Sequence, residues 1–244
     1  MTTPEIKGDK TYHVHFILDR SGSMSGKEDD VIGGFNSFIQ TLKDTKDLPP
    51  CFISVTRFDT ADAIETFWDE LELDKVPVMT RAEYAPRGGT ALLDAFGQTV
   101  SKIKADPDHR YLIITQTDGQ ENSSREWNHK DKIKTLIESL EKAGNWTFAY
   151  FGESQDAWAN YSGVGMASSA GQTMSFAASA YDKTSHSSGR VSQILMTRQI
   201  HSTQNYGAAT AAVSLDSSIS DEKIAAILNG EDEAEDKDAS KVSE

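Results

Sequence analysis

Apolar and polar positions change rhythm repeatedly along this chain. Residues 12–19 (Tyr-His-Val-His-Phe-Ile-Leu-Asp) form an apolar-rich, strand-like run that ends in a carboxylate. Residues 27–44 then place Val31, Phe35, Phe38, Ile39 and Leu42 at helical spacing, and Leu48-Pro49-Pro50 breaks that helix. Residues 51–58 alternate as a strand. Residues 63–68 pair with it antiparallel across the turn Asp59-Thr60-Ala61-Asp62. Residues 70–87 are mixed and read as loop. Gly88-Gly89-Thr90 is a tight turn into a helix that runs to about residue 104 and carries Leu92, Leu93, Phe96 and Val100. Residues 110–116 are a buried-type strand and residues 126–143 a helix, with Gly144 as its C-terminal cap. Further elements are a strand at 146–151, a short helix at 154–161 capped by Ser154, a last strand at 172–176 and a helix at 189–201.

Strands that alternate with helices predict an α/β fold: a doubly wound, mostly parallel sheet flanked by helices, with one antiparallel edge strand. Ligands of such sheets bind beyond the carboxyl ends of the strands, where the strand order reverses. In the common order 3-2-1-4-5-6 the first and fourth strands are neighbours at that reversal. Asp19 ends the first strand and Asp118 follows the fourth, so the topology itself brings these two carboxylates together.

Composition narrows the function classes. Hydrophobic content of 37%, with 10 Phe, 4 Trp and 7 Tyr, suffices for a real core. A net charge of −14 argues against nucleic-acid binding, which needs Lys and Arg on phosphates, and against anionic membrane surfaces. No apolar run approaches the ~18 residues of a membrane span. The polar lead at residues 1–10 has no apolar signal core. Cys51 is the single cysteine and starts a strand, so it reads as a small core residue. These features together predict a cytoplasmic protein.

Asp19, Ser21 and Ser23 form the pattern Asp-x-Ser-x-Ser just past a strand. One carboxylate and two hydroxyls in a compact loop suit a hard divalent cation, above all magnesium, which keeps several waters and takes one or two carboxylates. With Gly89-Thr90-Ala91-Leu92 in mid-chain and Thr117-Asp118-Gly119 after a later strand, the sequence resembles a von Willebrand factor type A domain over roughly residues 11–200. The resemblance implies a Rossmann-like fold of that family and a complete metal-ion-dependent adhesion site: Asp19, Ser21, Ser23, Thr90 and Asp118. It further implies that Ser21, Ser23 and Thr90 offer hydroxyl oxygens, while Asp19 and Asp118 supply charge, partly through waters. One coordination position is then left for an Asp or Glu of a protein partner. Mg2+ is the expected cofactor, with Ca2+ or Mn2+ as alternatives. Intracellular relatives in this family act as adaptors in bacterial multi-protein complexes, some beside AAA-type ATPases, others in stress-response or phage-encoded systems.

The expected function is metal-dependent protein–protein binding, as an adaptor or assembly component, with no enzymatic activity. The competing readings are a metal-assisted hydrolase or phosphatase, against which stands the lack of a poised general base or second-metal cluster, and a structural component with a purely structural metal. Gly22 to Lys27 is not a phosphate loop: three residues instead of four separate its glycines, and Glu28 follows the lysine. Met24 occupies the nucleophile position of the Gly-x-Ser-x-Gly frame, so no nucleophile elbow forms. Spacing leaves open a pairing of Ser23 with His13 or His15 as base, although the two histidines read better as residues packed beneath a helix. Met24, Gly89, Glu121, Arg125 and Trp127 are the candidates for a partner-binding rim, since Arg and Trp are enriched in binding hot spots.

The second half carries less. Residues 167–188 are rich in Ala, Ser and Gly. Residues 205–230 form an extension with a short amphipathic helix bearing Ile224, Ile227 and Leu228. Residues 231–244 hold seven acids and two lysines (2 − 7 = −5) and read as a disordered tail. The domain proper is expected at 11–204.

Overall fold

The computed structural model describes residues 11–46, 48–118, 121–152 and 173–177. The expected helices at 154–161, 189–201 and within 205–230, the polar lead, the segment 178–188 and the acidic tail lie outside the described residues. Six strands form one sheet: β1 (Tyr12–Asp19), β2 (Cys51–Phe58), β3 (Ile64–Glu72), β4 (Arg110–Gln116), β5 (Trp146–Gly152) and β6 (Thr173–Ala177). Their order is β3-β2-β1-β4-β5-β6, and every pairing is parallel except β2 with β3. The mostly parallel sheet and its antiparallel edge match the expected architecture, and so does the reversal between β1 and β4.

Two cores follow from the alternation of β1. Val14, Phe16 and Leu18 face α1 (Glu28–Asp44), whose Val31, Phe35, Phe38 and Leu42 fill that side. Phe16 meets Phe35 and Phe38 edge-on, at 4.8 and 5.3 Å between centroids. Ile17 points the other way. It packs with Ile113 of β4, with Leu92, Phe96 and Val100 of α2 (Leu92–Lys102), and with Ile133 and Ile137 of α3 (Lys130–Lys142). Each such fully buried side chain is worth about 2 kcal/mol, so the central strands β1 and β4 are held from both faces. Cys51 is buried at the start of β2, as its strand position predicts.

Two boundaries differ from expectation. The third helix starts at Lys130, four residues later than residue 126, because the amides of Arg125, Glu126 and Trp127 all donate to Asp94 and so stay out of the helix. The edge strand β3 runs on to Glu72 rather than ending at residue 68. Its exposed Glu65, Asp69, Glu70 and Glu72 charge the open edge, which discourages pairing with another chain.

Candidate metal centre

Three loops meet beyond the carboxyl ends of β1 and β4. The first leaves β1 and makes a single 3₁₀ turn over Gly22–Met24. The second, residues 87–91, runs beside it: the Arg87 amide donates to the Arg20 carbonyl at 2.6 Å and the Gly22 amide to the Gly88 carbonyl at 3.1 Å. Gly88 takes a left-handed φ of +70°, which a side chain would strain, and a Cβ there would also press on the Asp59 carboxylate at 3.2 Å. The third loop, residues 121–127, is tied to the second at Thr90, whose amide donates to Asn122 Oδ1 and whose carbonyl accepts from the amides of Asn122 and Ser123.

Inside this frame the Asp19 side chain is buried, 1% exposed. Its Oδ1 accepts from the Ser21 amide at 2.7 Å and its Oδ2 from the Thr117 hydroxyl at 2.5 Å. The Tyr84 hydroxyl donates to the Asp19 carbonyl and pins the end of the strand. Ser21 Oγ lies 3.0 Å from Ser23 Oγ. Asp118 stands close enough to Asp19 for the two charges to interact. Burial, against the bonds from Thr117 and Ser21 and together with the charge of Asp118, pushes the Asp19 carboxyl up to about 6. The buried phenols of Tyr84 and Tyr150 are likewise pushed up, first by burial and then by the negative charge of both aspartates.

Asp118 is the less satisfied of the two. Its side chain is 4% exposed, its Oδ2 lies 3.8 Å from the Lys27 ammonium, and its Oδ1 is buried with no hydrogen-bond partner among the described residues. A buried carboxylate oxygen without a partner costs several kcal/mol unless something supplies positive charge. The donor set here is oxygen only, with two carboxylates and the hydroxyls of Ser21, Ser23 and Thr90. That set fits a hard divalent cation and suits a soft metal poorly. Among the described residues no three His, Cys, Asp or Glu side chains converge on a metal position.

The rim residues fare unevenly. Met24 is not on the rim: the 3₁₀ turn points it inward, 3% exposed, into the core beneath α1. Trp127 is not on it either. Its indole lies on Gly97 of α2, where a Cβ would fall 2.1 Å from the ring. Glu121 is consumed internally, accepting from the amides of Ser123, Ser124 and Leu93 and from the Ser124 hydroxyl. Gly89 is half-buried against Asn122 and Ser123. Arg125 alone is well exposed, with its side chain on Asp62 at 2.9 Å. Sequence patterns give no role to Tyr84 or Asp94 and hold Thr117 only as part of the motif Thr117-Asp118-Gly119; these residues and Asn122 position the loops through contacts of long sequence separation.

The histidines are elsewhere. His15 is buried and bonded to Thr56 Oγ1 at 2.8 Å, and burial pushes its imidazole down to about 3. It lies four residues, roughly 13 Å, up β1 from Asp19. His13, farther still, stacks with Phe52, His109 and Tyr111. Neither reaches Ser23. A cavity of about 650 Å³ also opens at that end, against His13, His15, Glu70 and Lys102. It contains none of the candidate ligands.

No protein-family model matches this chain, and no curated protein does. Among solved structures it is similar to proximal thread matrix protein 1 from the mussel byssus (16% identity, TM-score 0.46, covering 77% of this chain and 45% of that one). It is similar also to the pilus adhesin SpaC from Lactobacillus rhamnosus GG (12%, 0.46, 59% and 24%) and to manganese-loaded Plasmodium vivax TRAP protein (18%, 0.39, 59% and 57%). The chain thus spans about half or less of the length of the first two and somewhat over half of the third. No helix of the described residues is long and apolar enough to cross a membrane.

Proposed function

We propose that this chain is a divalent-cation-dependent protein-binding module of the von Willebrand factor type A kind, acting as an adaptor or assembly component in the cytoplasm and without turnover. The observation that carries the reading is the pairing of two buried aspartates, Asp19 and Asp118, one of them with an oxygen that no described residue satisfies. Asp19, Ser21, Ser23, Thr90 and Asp118 would hold the cation, magnesium first, with calcium or manganese as substitutes. The bound ion would supply an electrophilic position for an Asp or Glu carboxylate of a protein partner. A subunit of a larger complex, such as an AAA-type ATPase assembly, is the class of partner that such an adaptor serves.

What the chain's own residues do is hold oxygens ready. Thr117 and the Ser21 amide fix the Asp19 carboxylate in one orientation. The 87–91 loop carries Thr90 alongside, locked by Asn122. Such preorganisation lowers the ordering cost of binding. A nucleophilic pairing of Ser23 with a β1 histidine is disfavoured, since His13 and His15 bond to His109 and Thr56 far up the strand.

The test is affinity capture from native lysate with wild type in magnesium, wild type in EDTA, and Asp19→Ala. A partner held only by wild type in magnesium is the expected result. A partner kept in all three would move the interface away from the cation site, and turnover of a generic phosphoester lost in Asp19→Ala would replace binding with catalysis.

A further inference from the structure

Beside the cation site stands a cluster of arginines that the metal does not use. Arg87 and Arg20 face each other across the short ladder between residues 20–22 and 87–88. Both address one oxygen, Asp59 Oδ2, at 3.0 Å from Arg87 Nε and 3.1 Å from Arg20 Nε. The Arg20 side chain is 7% exposed and its Nε, though near, makes no aligned hydrogen bond. The other Asp59 oxygen is already filled by the amide and hydroxyl of Thr60. Arg57, one strand position before Phe58, closes the group with its guanidinium on Glu65.

Three guanidinium groups therefore stand among three carboxylates: Asp59 takes Arg20 and Arg87, Glu65 takes Arg57, and the charge of Glu83 also acts on Arg57. Burial, and then the charges of Arg87 and Arg57, push Arg20 below its ordinary value, as expected where cations crowd. Of the three, Arg87 is the one that reaches solvent, and its contact with Asp59 is made through Nε. Arg87 is 64% exposed and sits next to the loop that carries Ser21 and Ser23. The chain as a whole carries −14 and repels an acidic partner at range. At contact, however, charges beyond about 8–10 Å are screened and the local arginine decides. Its planar fork is the geometry that grips a carboxylate with two hydrogen bonds.

Resting on the reading of the cation site given above, we infer that the partner's recognition segment is an acidic peptide with two carboxylates, one for the cation and a second, a few residues along, for Arg87. Arg87 is then the residue that sets specificity between acidic segments, and Arg125, held on Asp62 in the neighbouring loop, is not.

The test pans a phage-displayed library of short peptides with a fixed central Asp, in magnesium, against wild type, R87E and R125E. Each protein is first checked for an unchanged melting temperature and for magnesium uptake. Binders to wild type that EDTA releases are expected to share a second Asp or Glu at one fixed offset. Against R87E the same offset should select Lys or Arg, whereas R125E should keep the acid. If R87E does not fold, R87Q should lose about tenfold in affinity for the di-acidic peptide and nothing for its single-acid counterpart. EDTA-released binders without a second acid, or with the same acid against R87E, overturn this inference and leave the cation-dependent reading intact. A preference that inverts with R125E instead overturns the assignment to Arg87. A protein that takes up magnesium yet yields no EDTA-released binder overturns both.

Discussion

Asp94 and Asp118 are buried acids at the same end of one sheet, yet the fold treats them in opposite ways. Asp94, 1% exposed, receives the amides of Arg125, Glu126 and Trp127 at 2.6 to 2.9 Å. Asp59 is satisfied to the same degree, by Thr60, Arg87 and Arg20. Burial pushes its carboxyl up, but those partners outweigh it and hold the group below the ordinary aspartate range. Asp118 faces a second aspartate, has a lysine at 3.8 Å, and leaves one oxygen unpartnered among the described residues. The difference teaches how to tell two kinds of buried carboxylate apart. An acid saturated with donors is architecture, because its ionisation is already balanced. An acid set beside another acid is unbalanced, and the imbalance is what a cation corrects.

The comparison can be broken by substitution, starting with the saturated member. Asp94→Ala strips three amides of their acceptor and releases the 121–127 loop from α2, so unfolding free energy should drop by roughly 3 kcal/mol or more, read from urea midpoints in either magnesium or EDTA. A loss below about 1 kcal/mol would mean that the loop does not depend on this acid. Asp118→Asn should behave in reverse. In EDTA its stability should match or exceed wild type, since a like-charge contact is removed, while the stabilisation expected of the wild type on adding magnesium should be absent.

A pH series sharpens the same contrast. Burial raises the Asp19 carboxyl from its ordinary 3.8 to about 6. Between those values the folded chain holds a proton that the unfolded chain has released, so in EDTA this group makes stability fall as pH rises from about 4 to about 6. The full effect is on the order of 3 kcal/mol, since each pH unit between the two values is worth about 1.36 kcal/mol. His15 runs the other way. Burial holds it neutral down to about 3, so its contribution is present above 6.5 and is lost as pH falls below that value. The difference in melting temperature with and without magnesium cancels the histidine. That difference should grow from pH 5 to pH 7 as Asp19 ionises, and a flat profile would disconnect Asp19 from the cation. The smallest effect belongs to the exposed pair of Arg125 and Asp62: Arg125→Gln should change stability by less than about 0.5 kcal/mol by thermal melt, as surface ion pairs do.

Much of this architecture is legible in the sequence. The apolar-rich run of β1 and the helical spacing of Val31, Phe35, Phe38 and Leu42 predict both elements. The alternation of elements predicts the sheet type, the common order for such sheets is the one found, and the placement of Asp19 near Asp118 follows from that order. What stays hidden is set by contacts with no local signature. The start of α3 moves because an aspartate some thirty residues upstream takes the amides that would have opened the helix. Met24 reads as exposed from its small polar neighbours, but one 3₁₀ turn rotates it into the core. Trp127 reads as a hot spot by residue type, and only the bare surface of Gly97 shows that it is packing. The arginine cluster is equally invisible, since Arg20, Arg57 and Arg87 come from three separated segments.

Whether Asp19 and Asp118 share a cation is decided by calorimetric titration of magnesium into the EDTA-stripped chain. One saturable binding event is expected in wild type, with proton release near pH 6, and none in Asp118→Asn at unchanged fold. Equal magnesium uptake by the two proteins would refute the shared cation and leave the paired aspartates without a function.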